Sequence, residues 1–241
     1  MQILRLHKTS STNSWVAENE AALPSTVLVY CDCQTAGRGQ RGNSWESAPG
    51  ENITASLIFH PENFEACRQF AISEAIALAI VDFLELYGVA PKIKWPNDIY
   101  VGDKKICGIL VEHVVSGRNI SRTIAGLGIN MNQTEFKSDA PNPVSLKQLT
   151  GRHYDLTEAI DKLSRSLEKY LTKIDKGERL HLDFTNRLWR ADGQYYNFFD
   201  RTRGEQICAS VDKVGPDGLL CLSLKDGSRR HYAFKEVEFI I

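Results

Sequence analysis

The chain has 241 residues, and its 29 basic and 30 acidic side chains give a formal net charge of −1. Hydrophobic residues make up 42% and charged residues 24%, which is typical of a globular protein and excludes a disordered or fibrous class. The near-neutral charge removes the bulk attraction that drives non-specific binding to nucleic acid. No apolar run approaches the ~20 residues that a membrane-spanning helix needs. We therefore expect neither DNA nor a membrane as a partner.

Strand and helix patterns alternate through most of the chain. Periodicity and turn residues predict a helix after the N-cap-type residues 10–13, strands over 26–33 and 53–59, a helix over 66–87, strands over 92–95, 98–101, 106–115 and 120–130, and one or two helices over 157–190. Polar loops over 35–52 and 131–143 interrupt this series. Together the elements predict an α+β fold.

Beyond Gly193 the pattern changes to short strands about every ten residues, as in small all-β units. Glycine-containing turns at 204–205, 215–218 and 226–227 separate these strands. A unit of this size has little core of its own, so we expect it to dock on the rest of the protein. The predicted domains are residues 1–192 and residues 193–241.

Six cysteines are spread over the chain, and only Cys31 and Cys33 stand close together. There is no C-x-x-C motif, and no histidine stands at zinc-site spacing from a cysteine. The N-terminus lacks the apolar segment of a signal peptide. We expect reduced, packed thiols in a cytoplasmic protein, with a metal-ligand or disulfide role as the alternative.

Residues 37–45, Gly-Arg-Gly-Gln-Arg-Gly-Asn-Ser-Trp, form the most informative stretch, here called the glycine loop. Its glycines let the backbone approach a ligand closely, and Arg38 and Arg41 offer planar groups suited to phosphate or carboxylate oxygens. Trp45 offers a flat face on which a base can stack. The stretch matches neither a Walker A loop nor a dinucleotide-binding fingerprint. A mobile surface loop and an RGG-like nucleic-acid segment are the alternatives.

Two further clusters carry charge or small residues in a pattern that indicates a site. Residues 94–98, Lys-Trp-Pro-Asn-Asp, precede a hairpin that brings Lys105 and Gly108 back alongside them. Charges among apolar residues are costly to bury unpaired, so they either pair with each other or face a ligand cleft. Gly126 and Gly128 alternate along a strand and leave one face flat. A plain salt bridge and a β-bulge are the respective alternatives.

One reaction class uses all of these features. A small carboxylic acid that attacks the α-phosphate of ATP brings two anions together, so lysine and arginine must offset their repulsion. A carboxylate can help to hold Mg²⁺, and an aromatic ring can stack on adenine. The acyl-adenylate hydrolyses readily, which favours a glycine-rich loop that closes over it. We therefore expect cations at positions 38, 94 and 105 to converge in one cavity.

The same motifs, in the same order, resemble those of biotin protein ligases. They are Ser11-Thr12-Asn13, residues 34–45, residues 94–98, Lys105-x-x-Gly108-Ile-Leu and Gly126-x-Gly128-x-Asn130. The resemblance implies a catalytic domain similar to that of class II aminoacyl-tRNA synthetases, with a mixed, largely antiparallel sheet, flanking helices and a small C-terminal SH3-like β-barrel. It implies ATP-dependent formation of biotinyl-5′-AMP and transfer of biotin to a lysine of a biotin carboxyl carrier protein. Because the Ser-Thr-Asn motif begins at residue 11, the monofunctional type without a DNA-binding domain is expected.

By matching position, the resemblance implies a role for each motif residue. Those implied to bind biotin are Ser11, Thr12, Gln34, Gly37, Arg38, Lys105, Gly108 and Gly126. Those implied to bind the nucleotide are Arg38, Arg41, Trp45, Lys94, Asn97 and Asn130. The implied catalytic residues are Lys105, Arg38, Asp98 and Lys94, and Asp98 would also help to place Mg²⁺ or the incoming lysine amine.

Two positions depart from the family pattern. Gln40 stands where the family often has arginine, which should weaken neutralisation of phosphate, and Thr54 stands where some relatives place an aromatic residue over biotin. The alternative functions are a lipoate- or octanoate-handling ligase or transferase, and a non-catalytic biotin or adenylate sensor. A homodimer is left open, since exposed strand edges could support one.

Overall fold

The computed structural model describes residues 1–138 and 142–241, without the side chain of Arg41. Its first seven strands are β1 (Gln2–Thr9), β2 (Thr26–Gln34), β3 (Ile53–Phe59), β4 (Pro91–Lys94), β5 (Asp98–Val101), β6 (Lys104–Ser116) and β7 (Asn119–Ile129). Its α-helices are α1 (Thr12–Asn19), α2 (Gln69–Glu85), α3 (Leu146–Thr150), α4 (Leu156–Asp175) and α5 (His181–Asn186). Its remaining strands are β8 (Tyr196–Asp200), β9 (Glu205–Val214), β10 (Leu220–Leu224), β11 (Arg229–Tyr232) and β12 (Val237–Phe239).

The first seven strands form one mixed sheet in the order β1-β2-β3-β7-β6-β5-β4. Only β1 and β2 run parallel, and α1 connects them; all the other neighbours are antiparallel. Helices α2 and α4 pack together, and their buried apolar side chains share one core with one face of this sheet. Helix α1 packs on the opposite face through Val16, against Val29 and Ile124. That second face is only partly covered, and it carries the site.

The strand register explains why the predicted site residues meet. Opposed residues on neighbouring antiparallel strands point to the same face of a sheet. One row of such pairs crosses six strands and consists of Lys94, Asp98, Gly108, Gly128, Thr54 and Cys31. The partly covered face therefore receives a lysine, a carboxylate and two glycines side by side.

A β-bulge between β5 and β6 brings Lys105 to the same face. Ile99 pairs with Cys107, but Tyr100 pairs with Lys105, because one extra residue lies on β6 at this point. In an unbroken strand, residues two apart share a face, so Lys105 would follow the buried Cys107 into the core. The bulge re-aims Lys105 towards Asp98.

Most of the predicted elements are present, with boundary shifts of a few residues. The strand over 53–59 is confirmed as predicted, and the helix over 66–87 is an α-helix only from Gln69, because a 3₁₀ turn precedes it. Strand β1 and helix α3 were not predicted. Strand β1 is a half-exposed edge strand whose charged residues obscure its alternation, and α3 is a five-residue helix with a capping box between Ser145 and Gln148.

The remaining five strands form an antiparallel sheet in the order β11-β10-β9-β8-β12. This sheet docks on the rest of the protein as expected. The indole nitrogen of Trp95 donates to the carbonyl of Gly218 at 2.9 Å, and Arg190 donates to the carbonyl of Ile240 at 3.1 Å. Buried residues of both sheets belong to one continuous hydrophobic core. The protein is thus a mixed α+β fold with a large mixed sheet and a second antiparallel one.

The cysteines and the helix lengths can be compared with what the sequence predicts. All six cysteines are free thiols, and Cys31, Cys107 and Cys221 are buried. Burial raises the pKa of the Cys31 thiol, which makes it less reactive. Within residues 1–138 and 142–241, every helix is too short or too polar to cross a bilayer.

Asp200 connects strands of the second sheet through its side chain. Its buried carboxylate accepts hydrogen bonds from the hydroxyls of Thr202 at 2.6 Å and Tyr232 at 2.7 Å, and it lies 3.1 Å from Arg230. Burial alone would raise the pKa of Asp200, but the hydrogen bonds from Thr202, Tyr232 and the backbone of Arg203 outweigh it. The pKa is lowered to about 2.

We expect this carboxylate to make stability depend on pH in the acid range. A carboxyl group with a lowered folded-state pKa contributes stability above its unfolded value of 3.8, and loses it as the pH falls towards about 2. The contribution is about 2 kcal/mol. Urea unfolding at several pH values should show a flatter pH dependence between 2 and 4 for Asp200→Asn than for the natural chain. The exposed Asp161→Asn variant is the control, and equal slopes in all three proteins would contradict this interpretation.

Candidate functional site

An open cleft of about 1360 Å³ lies over the partly covered face of the large sheet. It is bounded by α1, the glycine loop and the second sheet. The predicted residues that line it are Ser11, Thr12, Gln34, Arg38, Trp45, Lys94, Asn97, Asp98, Lys105, Gly108, Gly126 and Asn130. Arg38, Lys94 and Lys105 therefore line a single cavity, as the sequence predicted. The side chain of Arg41 lies outside the described part of the chain.

The charged end of the cleft is built from β4, β5 and β6. Lys105 Nζ lies 2.7 Å from Asp98 Oδ1, and both side chains are mostly shielded from solvent. Lys94 Nζ lies 5.1 Å from the ring centroids of both Tyr100 and Phe239. Burial lowers the pKa of Lys94, and the charge of Asp98 opposes this shift. Lys105 is thus paired with Asp98, and Lys94 adds a second positive charge nearby, which favours an anionic ligand at this end.

Trp45 lies directly on the glycine floor. A Cβ atom placed on Gly128 would approach the Trp45 indole to 2.2 Å, and one on Gly108 would approach it to 2.9 Å. Only glycine fits under the ring at these positions. Lys105 Nζ lies 5.7 Å from the ring centroid. The flat space that the sequence predicted over these glycines is therefore filled by the indole.

Two buried polar atoms in the cleft lack partners within the described chain. They are the indole nitrogen of Trp45 and the side-chain oxygen of Asn130. The amide nitrogen of Asn130 donates to the carbonyl of Val144 at 3.1 Å, so its oxygen is turned away from that contact. Buried polar groups without partners are costly, and a bound ligand is one way to satisfy them.

The glycine loop is folded back on itself. The backbone N–H of Trp45 donates to the carbonyl of Gly37 at 2.9 Å, and that of Gly39 donates to Asn43 at 2.7 Å. A Cβ atom on Gly37 would lie 2.4 Å from the carbonyl oxygen of Trp45, so this tight closure requires glycine. These bonds favour a built site element over a mobile surface loop.

Arg38 is held at the other end of the cleft from Lys105. Its Nη2 atom lies 2.9 Å from Oε1 of Glu112 on β6. Glu112 stands four residues along β6 from Gly108, which corresponds to about 13 Å of extended strand. The carboxylate-binding role implied for Arg38 stays a prediction, since its guanidinium here binds Glu112.

The polar end of the cleft is a chain of hydrogen bonds between α1, β2 and β3, here called the polar relay. Ser56 Oγ lies 2.5 Å from Asn13 Oδ1 and 2.7 Å from Thr12 Oγ1. The backbone N–H of Thr12 donates to Gln34 Oε1 at 2.9 Å. Thr12, Asn13 and Ser56 are all buried. A Cβ atom on Gly126 would lie 2.5 Å from Asn13 Oδ1, so this glycine makes room for the relay.

Asn97 and Ser11 line the cleft, and in this structure Asn97 bonds to the backbone of β6 while Ser11 immediately precedes helix α1. The side-chain amide of Asn97 donates to the backbone carbonyl of Ile109 at 2.7 Å, and the backbone carbonyl of Asn97 accepts from the N–H of Ile109 at 2.9 Å. Ser11 is the N-cap residue of α1, although its side chain makes no capping bond. The nucleotide role of Asn97 and the biotin role of Ser11 stay predictions.

Sequence reasoning missed Glu112 and Phe239. Glu112 continues the two-residue spacing of Gly108 and Leu110 along β6, so the register could have placed it on the cleft face. Phe239 comes from the second sheet, and no local pattern links it to Lys94. Only the docking of the two sheets brings Phe239 and Lys94 together.

Comparisons with known proteins find a family, related sequences and a related fold. The model of the Biotin/lipoate A/B protein ligase family matches residues 5–130. The bifunctional ligase/repressor BirA of Bacillus subtilis is 31% identical over 237 residues, covering 95% of this chain and 70% of that protein. A biotin–[acetyl-CoA-carboxylase] ligase of Paracoccus denitrificans is 32% identical over 177 residues, covering 70% and 73% of the two chains. A biotin protein ligase from Aquifex aeolicus, solved in complex with biotin and ATP, has the same fold, with a TM-score of 0.81, 22% identity, and 99% and 98% coverage.

The packing of the Trp45 indole on Gly128 can be tested with Gly128→Ala. The added methyl group occupies the position of the indole, so we expect the ring to leave its buried seat and its fluorescence emission to move to longer wavelength. Subtracting the spectrum of a matching Trp45→Phe protein isolates this residue from Trp15, Trp95 and Trp189. Gly126→Ala is the control, because it meets Asn13 instead. An unchanged Trp45 emission in Gly128→Ala would contradict the packing described.

Proposed function

This chain belongs to the Biotin/lipoate A/B protein ligase family, and from that membership we propose that it is a biotin protein ligase. In the first step, a carboxylate oxygen of biotin attacks the α-phosphorus of ATP, giving biotinyl-5′-AMP and pyrophosphate. In the second, a lysine amine of a biotin carboxyl carrier protein attacks the activated carbonyl. AMP leaves, the amine loses a proton, and an amide bond forms.

The observation that carries this proposal is that one cleft has a charged end and an uncharged polar end. One end holds Lys94, Asp98 and Lys105 and suits anionic groups. The other end is the buried polar relay at Thr12 and Gln34, which suits an uncharged hydrogen-bonding head group. Biotin has a polar bicyclic head at one end and a carboxylate at the other, so it would span the cleft lengthwise.

Lys105 is proposed as the central catalytic residue. It stands between Asp98 and the Trp45 ring, where it could move from the carboxylate to a ligand anion with little displacement. Its charge would offset the repulsion between the biotin carboxylate and the α-phosphate, and it would remain in contact with the charge that develops during attack. Lys94 would bind phosphate, and Arg38 and Arg41 would approach from the glycine loop.

Nucleotide and biotin contacts follow the same geometry. We propose that Trp45 stacks on adenine and that Asn130, whose side-chain oxygen is unpaired within the described chain, contacts the nucleotide. Gly37, Gly108 and Gly126 would provide backbone groups and space around biotin, and Ser11 and Asn97 would complete the two subsites. Displacement of the indole from the glycine floor would open room for a flat ligand.

The residues present suit a magnesium ion that arrives with ATP. No group of three or more histidine, cysteine or acidic side chains that could hold a metal ion occurs in residues 1–138 and 142–241. Mg²⁺ is commonly held by one or two carboxylates together with substrate phosphates, and Asp98 can supply one carboxylate. When bound, the ion would neutralise phosphate charge. We also propose that Asp98 helps to position the lysine amine in the second step.

The polar relay favours biotin over the alternative substrates lipoate and octanoate. The head of lipoate is a disulfide ring and that of octanoate is an alkyl chain, so neither offers strong hydrogen-bonding groups. Either would make no hydrogen bond to the buried Thr12 hydroxyl or the half-buried Gln34 amide, so it would lose binding free energy that biotin gains there. Relatives are named as biotin ligases. A non-catalytic sensor would not need a lysine poised on a carboxylate.

The domain boundaries at 1–192 and 193–241, and an SH3-like barrel for the second unit, are part of the proposal. The change from the large sheet to the antiparallel one before Tyr196 supports the boundary, and the irregular pairing of β9 with β10 at Cys221 supports a strongly bent sheet. The monofunctional type, a cytoplasmic location and a homodimer stay predictions from the sequence.

Mass spectrometry of a carrier domain provides the direct test. The chain, ATP and Mg²⁺ are incubated with the biotin-accepting domain of a carboxylase, and we expect a biotin-sized mass addition on one lysine. Matched incubations replace biotin by lipoate or octanoate and should give little or no labelling. Labelling with lipoate or octanoate alone would favour the alternative ligase. Binding of biotin without labelling would favour a sensor.

Lys105→Ala should abolish most of the activation step. Loss of a charged group that contacts the reacting anions lowers kcat by about 10² or more. Pyrophosphate–ATP exchange in the presence of biotin measures this step, and thermal melting checks the fold. Lys104→Ala is the matched control, because Lys104 is its exposed neighbour on β6 and does not line the cleft. Near-normal exchange in Lys105→Ala would contradict the assignment.

A further inference from the structure

Glu112 binds two segments that flank the polar end of the cleft. Its Oε1 atom lies 2.9 Å from Nη2 of Arg38, in the glycine loop, and its Oε2 atom accepts from Nδ2 of Asn13, in α1, at 2.8 Å. Each carboxylate oxygen therefore holds a different segment. No motif and no family-based role accounts for this residue.

The contact with Arg38 is the weaker of the two. The side chains of Arg38 and Glu112 are 47% and 40% exposed, and ion pairs this open to solvent contribute little to stability. Asn13 is only 4% exposed, so its contact with Glu112 is better shielded from solvent than the one with Arg38. The larger effect of Glu112 should therefore pass through Asn13.

An ionised carboxylate can only accept hydrogen bonds, and this fixes the orientation of the Asn13 amide. Its NH₂ group must face Glu112, so its Oδ1 atom faces Ser56 Oγ at 2.5 Å. Ser56 has one hydroxyl proton, and this short contact between two oxygens requires it. No proton of Ser56 then remains for Thr12.

The direction of the next bond follows. Thr12 Oγ1 lies 2.7 Å from Ser56 Oγ and 3.2 Å from Gln34 Oε1. With the Ser56 proton already used, the Thr12 hydroxyl must donate to Ser56, since two oxygens at 2.7 Å without a proton would repel. Gln34 Oε1 is served by the backbone N–H of Thr12 at 2.9 Å.

Two groups are left for a ligand. Thr12 Oγ1 keeps lone pairs that can accept an N–H, and Gln34, whose oxygen is taken, offers its Nε2 hydrogens. This places an acceptor beside a donor at the polar end of the cleft. A cyclic urea, which carries an N–H next to a C=O, has the complementary pattern.

We propose that Glu112 is a positioning residue of the ligand pocket, whose negative charge sets the hydrogen-bond direction of the relay through Asn13, Ser56 and Thr12 and so selects a ureido head group. This inference rests on the proposed function, because biotin supplies the ureido group. The contact with Arg38 joins the glycine loop to the same carboxylate, so the loop and the relay share one anchor.

Glu112→Gln tests the proposal with almost no change of shape. A glutamine can turn its NH₂ group towards Asn13, which allows the Asn13 amide to flip and the relay to reverse. Isothermal titration of biotin into the full chain without ATP should show a Kd about tenfold higher than that of the natural chain. The KM for ATP should stay within about twofold, because the relay lies away from the charged end.

Two further variants distinguish the hydrogen-bond direction of the relay from the mere loss of a negative charge near the cleft. Glu238→Gln removes a carboxylate that lines the same cleft but pairs with Arg201, and it should leave the Kd within about twofold. The double variant Asn13→Asp with Glu112→Gln moves the carboxylate one step along the relay. The new carboxylate at position 13 would accept from both Ser56 and the new amide at position 112, so the original direction returns. Most of the biotin affinity should return with it.

The outcomes are distinct. A Kd within about twofold in a folded Glu112→Gln protein overturns the proposal, as does an equal loss in Glu238→Gln. If Glu112→Gln fails to fold, the double variant is the test. A biotin Kd close to that of the natural chain supports the proposed relay direction, and a Kd about tenfold higher overturns the proposal. Failure of the natural chain to bind biotin would instead overturn the proposed function.

Discussion

The site depends on the register of one antiparallel sheet. Opposed residues share a face, so pairing alone brings Lys94, Asp98, Gly108 and Gly128 into one row. The bulge between β5 and β6 then adds Lys105 to the charged residues of this row. A shift of one residue in any of these strands would send its side chains into the helical core. The hydrogen bonds that pair the strands therefore also bring the proposed site residues together.

The cleft separates two kinds of recognition along the strands. Charge is concentrated where β4, β5 and β6 meet, whereas the buried polar relay lies several residues away, beneath α1. The glycines between them keep the floor flat, and Trp45 covers that floor. A ligand with a polar head, an apolar middle and an anionic tail matches this order.

Local patterns in the sequence were sufficient for elements that are either fully apolar or clearly periodic. Strand β3 is buried along its whole length and was predicted with its observed bounds, whereas β1 was missed because it is a polar edge. The motifs also placed Arg38, Lys94 and Lys105 in one cavity. The hairpin also allowed the pairing of Lys105 with Asp98 to be expected. The contacts of Arg38 with Glu112 and of Lys94 with Phe239 were missed, because they depend on long-range strand pairing and on the docking of the second sheet.

Phe239 lies far from Lys94 along the chain, yet its ring centroid is 5.1 Å from the Lys94 amine. Chains are synthesised from the N-terminus, so this contact forms only after the last described strand has emerged and docked. Before then, Lys94 would be open to water and the cleft would lack one wall. A nascent or clipped chain that lacks β12 would therefore complete the large sheet and still have an unfinished cleft.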